Sequence, residues 1–400
     1  MSHNKKTVVL AYSGGLDTTY CLVNLTKGHQ FDVHTVLVNT GGFTEDELQD
    51  IEKRAYEMGS TQHLNLNEKD NFYQNGIKYL IYGNVLKNNT YPLSVSAERI
   101  FQALAIANYA KEINAEAIVH GSTGAGNDQV RFDLIFNILL PDVEVITPIR
   151  DNKLTRQEEV EFLKSHGIEM SWEKAKYSIN KGQWGSSVGG AETLTSSEGL
   201  PDEAYPSALE QEYEEIVELS FVKGVLIGLG DQTGSPLEMI DLLEQKASSY
   251  AIGRDTHVGD TIVGIKGRVG FEAAASMIII KAHELLEKHV LGKWQIHWKE
   301  QLGNWYGMLL HEAQYLDPVM RDIEVFLEST QKHVTGKVRV RLAPYRFNLL
   351  GIKSKNDLMD SDFGTYGEAN GLWTGQDVRG FTKILAVSQK IYHQKHKDDD

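Results

Sequence analysis

The spacing of apolar residues changes character along this chain. Residues 7–11 form a short aliphatic and β-branched run, the pattern of a parallel strand covered on both faces. Tyr20, Leu22, Val23 and Leu25 then recur near helical spacing, with Asp17 and Thr18 suited to a helix start. The alternation continues with strands predicted at 31–38, 62–66, 117–119 and 143–146, and helices at 45–58, 97–113, 128–139 and 155–166. Strands alternating with helices predict a doubly wound parallel sheet, where ligands bind beyond the carboxyl ends of the strands.

From about Trp172 the pattern differs. Residues 177–206 are rich in Ser, Gly and Thr, without clear period, and read as a long irregular stretch. Segments 214–228, 261–271 and 336–350 read as strands or hairpins between helices at 237–248, 274–289 and 318–333, an α+β arrangement. Another irregular passage, 368–373, leads to an amphipathic helix at 378–393 and a tail ending Asp398-Asp399-Asp400. The expected division is 1–170, 171–365 and 366–400.

Between the first strand and helix lies Ser13-Gly14-Gly15-Leu16. Adjacent glycines let main-chain N–H groups converge, and a helix N-terminus adds partial positive charge, so the turn suits a phosphate. No lysine follows Gly15, which excludes the lysine-bearing phosphate loop. Neither Gly124-Ala125-Gly126 nor Gly228-Leu229-Gly230 completes a dinucleotide fingerprint.

Composition narrows the partners. The 400 residues are 41% hydrophobic, enough for two domains plus appendages. With 55 acidic against 40 basic side chains, net charge −15, nucleic acid is a poor substrate. The single cysteine, Cys21, excludes internal disulfides and cysteine zinc clusters, and fits a reducing compartment. No stretch approaches membrane-span length and no signal core precedes the first strand, so the expected location is cytoplasmic, with no membrane partner.

A second dense stretch runs from His120 to Asp133, "HGSTGAGNDQVRFD". Its glycines permit close backbone approach. Asn127 and Arg131 share a helix face, with Asn127 also expected to cap the helix. Arg131 offers a fork for a carboxylate and Asp128 an anion for an ammonium, a set prepared for an amino acid.

These motifs carry a family resemblance. The S-G-G-L-D-T-T loop resembles the pyrophosphate-gripping loop of N-type ATP pyrophosphatases. With H-G-x-T-G-x-G-N-D-Q-V-R-F, then Y-S-I-N and W-G-S-S, and G-R-D-T-H-V before V-G-I-K-G-R, the chain resembles the argininosuccinate synthases from Val8 to about Glu272. The resemblance implies a pyrophosphatase-type nucleotide-binding domain, a synthetase domain and a C-terminal oligomerisation helix in a homotetramer. It also implies ligation of citrulline and aspartate in arginine biosynthesis, with ATP and Mg²⁺. ATP would lie on Ala11, Tyr12, Ser13, Gly14, Gly15, Leu16, Asp17, Thr18 and Thr19, with Gly121 close by. Citrulline would contact Tyr91, Ser96, Asn127, Arg131, Ser178 and Ser187, and aspartate Thr123, Asn127 and Asp128. No general base and no protein metal ligand are assigned. Three positions depart from the family pattern: Ala125 replaces a common Lys, and Gly259 and Phe271 stand where Glu and Tyr commonly meet citrulline.

Other candidates weigh less. His283 and His289 are six apart, not four, so no zinc-protease pair forms and a solvated helix is expected. His311-Glu312 lacks a second histidine nearby in sequence. Trp184 either shapes a pocket or pins its loop. A glutamine-dependent synthetase or a tRNA-thiolating enzyme needs reactive cysteines, which Cys21 alone supplies poorly; a non-catalytic nucleotide-binding regulator is the alternative from another class.

Overall fold

The structure, a computed structural model, describes residues 5–124, 126–168, 176–360 and 371–397. Strands β1 (Thr7–Ala11), β2 (Asp32–Asn39), β3 (Gln62–Asn67), β4 (Ala117–Val119) and β5 (Glu144–Ile146) form one sheet in the order β3-β2-β1-β4-β5. Every neighbouring pair is parallel. Val8, Val9 and Leu10, like all of β4, are 0% exposed, and burial on both faces is why neither strand alternates. The chain winds outward to β3 and then crosses to β4 on the other side of β1. A crevice therefore opens at the carboxyl ends of β1 and β4.

Two antiparallel sheets complete the molecule. One has the order β10-β9-β8-β13-β14, from β8 (Glu215–Val222), β9 (Val225–Leu229), β10 (Gln232–Thr233), β13 (Gly336–Ala343) and β14 (Arg346–Lys353). The other has the order β11-β12-β7-β6, from β6 (Ser178–Gly182), β7 (Gly185–Gly189), β11 (Arg254–Asp260) and β12 (Lys266–Glu272). The helix Ala274–Val290 buries Ala274, Ala275, Ile278, Ile279, Ile280, Ala282 and Leu286, the core role its aliphatic stripe predicts.

One expectation fails and further elements were not anticipated, each for an identifiable reason. The start of 177–206 is the β6–β7 hairpin. Its Ser and Gly residues have little strand preference of their own, and pairing with β12, Phe271 opposite Ser187, makes it a strand. The long helix Lys293–His311 is hidden because Trp294, Trp298 and Trp305 are exposed and blur the apolar stripe, while Gly303 and Gly307 lower its propensity. Helical turns at Lys69–Phe72 and Lys78–Tyr82 are too short to show a period.

The C-terminal arm is two helices, Gly375–Leu385 and Val387–Lys395, where one was expected. Neither buries a residue, and Phe381, Ile384, Leu385, Ile391 and Tyr392 are exposed. Among the described residues no helix is long and apolar enough to cross a membrane. Trp172, the expected boundaries near 170 and 365, Glu368, the terminal aspartates and Ala125 lie outside the described residues.

Candidate active site at the sheet switch point

The first wall of the site is the turn after β1. Gly14 has φ +72, and a Cβ there would sit 3.0 Å from the Arg54 guanidinium and 3.1 Å from Ile51. Arg54 Nη1 donates to the Gly14 carbonyl at 3.3 Å, fixing the corner. The Thr18 hydroxyl lies within 3.3 Å of both Ser13 Oγ and the Gly15 carbonyl. Gly15 at the N-cap brings no side-chain oxygen to the helix Leu16–Val23, so its first-turn N–H groups remain available to an anion. Tyr12, Leu16 and Thr19 are buried beneath the turn, Ser13 and Gly15 are exposed on it, and Asp17 faces a cavity. Burial pushes the Cys21 thiol up, so it is an inert core residue.

The second wall is the segment after β4. A Cβ on Gly121 would lie 3.2 Å from Asp17, so only a residue without a side chain lets the two turns meet so closely. The buried His120 accepts from Ser122 N at Nδ1, 3.3 Å, and gives its Nε2 proton to Asp133 at 2.8 Å. Gln129 Nε2 donates to the Gly124 and Gly126 carbonyls at 2.6 and 3.1 Å, closing the glycine turn.

The helix Asp128–Leu139 then begins with a charge ladder. Arg99 Nε donates to one Asp128 oxygen at 3.1 Å and Arg131 Nη1 to the other at 2.8 Å. Burial opposes the Asp128 charge, but the two guanidiniums outweigh it and hold the carboxyl below its usual range. Arg99 Nη1 also donates to Glu98 at 2.8 Å, while burial raises the Glu98 carboxyl to about 7. Arg131 Nε is committed to the His311 carbonyl at 3.1 Å, so its fork is not free for a bidentate ligand; among the described residues only Nη2 makes no hydrogen bond. Asn127 occupies the N-cap position without capping. Its Oδ1 instead accepts from Ile262 N at 2.9 Å, tying the β11–β12 hairpin to the parallel-sheet half.

The third wall comes from the antiparallel sheet. In the β6–β7 register Asn180 faces Ser187, and Ser178 lies two residues from Asn180, so period-two geometry puts all three on one face. The three walls enclose a cavity of about 470 Å³, within the range of small-molecule sites. Of the residues proposed from sequence, Asp17, Tyr91, Ser96, Gly121, Thr123, Asn127, Asp128, Arg131, Ser178 and Ser187 all line it. The phosphate turn meets it through Asp17. Ser96 Oγ is buried there without a partner among the described residues. Sequence reasoning missed Arg99, Asn180, His257, Arg268 and His311, which also line it. Arg99 follows a predicted helix start, but only the fold brings it to Asp128.

The departures have structural counterparts. Phe271 is fully buried, its ring 5.4 Å from that of Tyr91. At Gly259 a Cβ would meet His257 Nε2 at 2.7 Å, so the imidazole fills the space a side chain there would use. Asp260 does not substitute for a carboxylate at 259, because it pairs with Lys266 at 2.8 Å. Trp184 is absent from the lining; buried, with Nε1 donating to the Pro92 carbonyl at 3.0 Å, it pins the hairpin. His283 is not solvated: it is fully buried, held by Asn84 at 2.8 Å and Gln331 at 2.9 Å. Among the described residues no group of three or more His, Cys, Asp or Glu side chains could hold a metal ion.

Comparison with known proteins agrees with this architecture. Residues 7–169 match the family model for the arginosuccinate synthase N-terminal HUP domain, and residues 177–392 match that for the arginosuccinate synthase C-terminal domain. The chain is 35% identical to the argininosuccinate synthase of Dictyoglomus thermophilum over 99% of this chain and 100% of that one. It is 33% identical to that of Methanocaldococcus jannaschii over 98% of this chain and 99% of the relative. For that of Pyrococcus furiosus the figures are 34%, 97% and 95%. With 98–99% of its length covered by the first two of these relatives and both halves matched, the chain belongs to the argininosuccinate synthase family.

Proposed function

We propose that this protein ligates citrulline and aspartate to argininosuccinate with cleavage of ATP to AMP and pyrophosphate, a carbon–nitrogen ligase reaction of arginine biosynthesis. The observation that carries the reading is one cavity lined by Asp17 and Gly121, by Thr123, Asn127, Asp128 and Arg131, and by Tyr91, Ser96, Ser178 and Ser187. ATP phosphates rest on the turn from Ala11 to Thr19, where unpaired helix N–H groups stabilise negative charge. The ureido oxygen of citrulline attacks the α-phosphorus and pyrophosphate departs; the aspartate amine then displaces AMP from the citrullyl adenylate. The chain's main contribution is alignment and charge stabilisation. Asp128, fixed between two guanidiniums, keeps outward lone pairs for the aspartate ammonium, and Arg131 Nη2 offers one charged hydrogen bond. Tyr91, Ser96, Asn127, Arg131, Ser178 and Ser187 hold citrulline, and Thr123 and Asn127 join Asp128 at aspartate.

Mg²⁺ fits as a companion of ATP, since such ions are held mostly by substrate phosphates and water with one or two carboxylates, and Asp17 stands where the turn meets the cavity. Bound there, it would neutralise phosphate charge. The exposed apolar arm supports a homotetramer in which other copies cover Phe381, Ile384 and Ile391. One buried cysteine supports a cytoplasmic setting. The division proposed is a nucleotide domain over 1–170, a synthetase domain over 171–365 and an arm over 366–400. Steady-state pyrophosphate release should require both citrulline and aspartate; release with neither, or none with both, would overturn the reading.

A further inference from the structure

The functional reading leaves His257 on β11 without a role, although it stands over Tyr91, one of the citrulline residues. The imidazole is 6% exposed and stacks on the Tyr91 ring at 5.3 Å, so its orientation is fixed. Nδ1 is buried with no partner among the described residues. A buried N–H without an acceptor is rarer than a buried lone pair without a donor, so the ring proton belongs on Nε2. Nε2 makes no hydrogen bond among the described residues and lies beside Gly259, whose missing side chain opens it to the cavity.

The charges around it select the guest. Burial first, then the Lys87 ammonium, hold His257 below its usual range, so it is a neutral donor at pH 7. His311, on the helix that closes this end of the cavity, is pushed down to about 2, by burial first and then by the Arg131 and Lys87 cations. The potential here is positive. Carboxylates temper it without reversing it: Asp128, bridged by Arg99 and Arg131, acts on His311, and Glu312 and Asp260 act on Lys87, yet Lys87 is the charge that His257 feels and Asp17 lies at the phosphate end. An ammonium group is disfavoured in such a place and a carboxylate is favoured.

We infer that His257 is a specificity-determining residue that donates from Nε2 to the α-carboxylate of the citrulline substrate, an assignment that rests on the functional reading above. Gly259 follows as its necessary neighbour, because any side chain there would displace the ring.

The test uses the full-length enzyme, pyrophosphate release, and three ligands: citrulline, citrullinamide, which lacks the carboxylate, and N-acetylcitrulline, which lacks the ammonium. An analogue that is not turned over is measured by its inhibition constant against citrulline. His257→Phe keeps the stacked ring and removes the donor, and should raise the citrulline KM about 10- to 100-fold while the KM for aspartate and ATP moves by less than about twofold. His257→Gln, which restores an N–H, should recover part of the loss. With citrullinamide the wild type and His257→Phe should be equally weak, whereas with N-acetylcitrulline the difference between them should persist. A loss that persists with citrullinamide and vanishes with N-acetylcitrulline would mean that the amino group is read here, overturning the inference. So would an unchanged citrulline KM, or a rise in the aspartate KM instead. No pyrophosphate from the wild type with citrulline and aspartate would overturn the functional reading itself.

Discussion

The phosphate turn after β1 and the β6–β7 hairpin across the cavity each pivot on a glycine with positive φ, Gly14 at +72 and Gly185 at +120. The two corners are nevertheless built differently. The turn takes its shape from local sequence: a buried strand, two glycines and a helix start within a dozen residues, stiffened by Arg54 and Thr18. The hairpin takes its shape from partners far along the chain, with Phe271 opposite Ser187 and Trp184 bonded to the Pro92 carbonyl. In the function proposed here, nucleotide chemistry would sit on locally encoded structure and amino-acid recognition on tertiary register.

Breaking each corner should separate the two functions. Gly14→Val places a β-branched side chain at positive φ against Arg54 and Ile51, and should lower kcat/KM for ATP by about 100-fold or more, measured by pyrophosphate release at saturating citrulline and aspartate. Gly185→Ala brings a Cβ to 2.6 Å from that of Ala273, tilting the hairpin, and should raise the citrulline KM about tenfold with the ATP KM nearly unchanged. If both variants raised the same KM, the separation would fail.

The link between the halves gives a smaller signal. Asn127→Ala removes the acceptor for Ile262 N and should speed hydrogen exchange of that amide about 3- to 10-fold, with little change at β1 or β4 amides. The smallest effect is a pH dependence. Glu98 has its folded value raised from 4.5 to about 7 by burial, with the Arg99 guanidinium opposing. Between those values the folded protein holds a proton that the unfolded chain has released, so stability falls as pH rises through the window. Glu98→Gln should flatten that part of the profile, read from thermal midpoints across pH, leaving the similar fall contributed by Glu244.

What could be read from sequence follows the same division. The central strands β1 and β4 and the switch-point site were legible because burial on both faces leaves unbroken apolar runs and because glycine turns follow both strands directly, while the edge strands β3 and β5 were legible from their place in the strand–helix alternation. The β6–β7 hairpin was illegible since Ser178, Asn180 and Ser187 have no pattern until β12 pairs with them. Arg99, His257 and His311 were missed for a related reason: 212 residues and more separate His311 from Arg99, and no local period predicts their meeting. Asn127 drew the ordinary capping assignment, which its bond to Ile262 displaces.

The central claim is that this cavity brings the ureido oxygen of citrulline to the α-phosphorus of ATP. Citrulline labelled with ¹⁸O in the ureido group tests it most directly, with products separated by mass spectrometry. The account predicts the label in AMP, because that oxygen leaves with the nucleotide when aspartate attacks. Unlabelled AMP, with ¹⁸O in pyrophosphate or in orthophosphate, would contradict it.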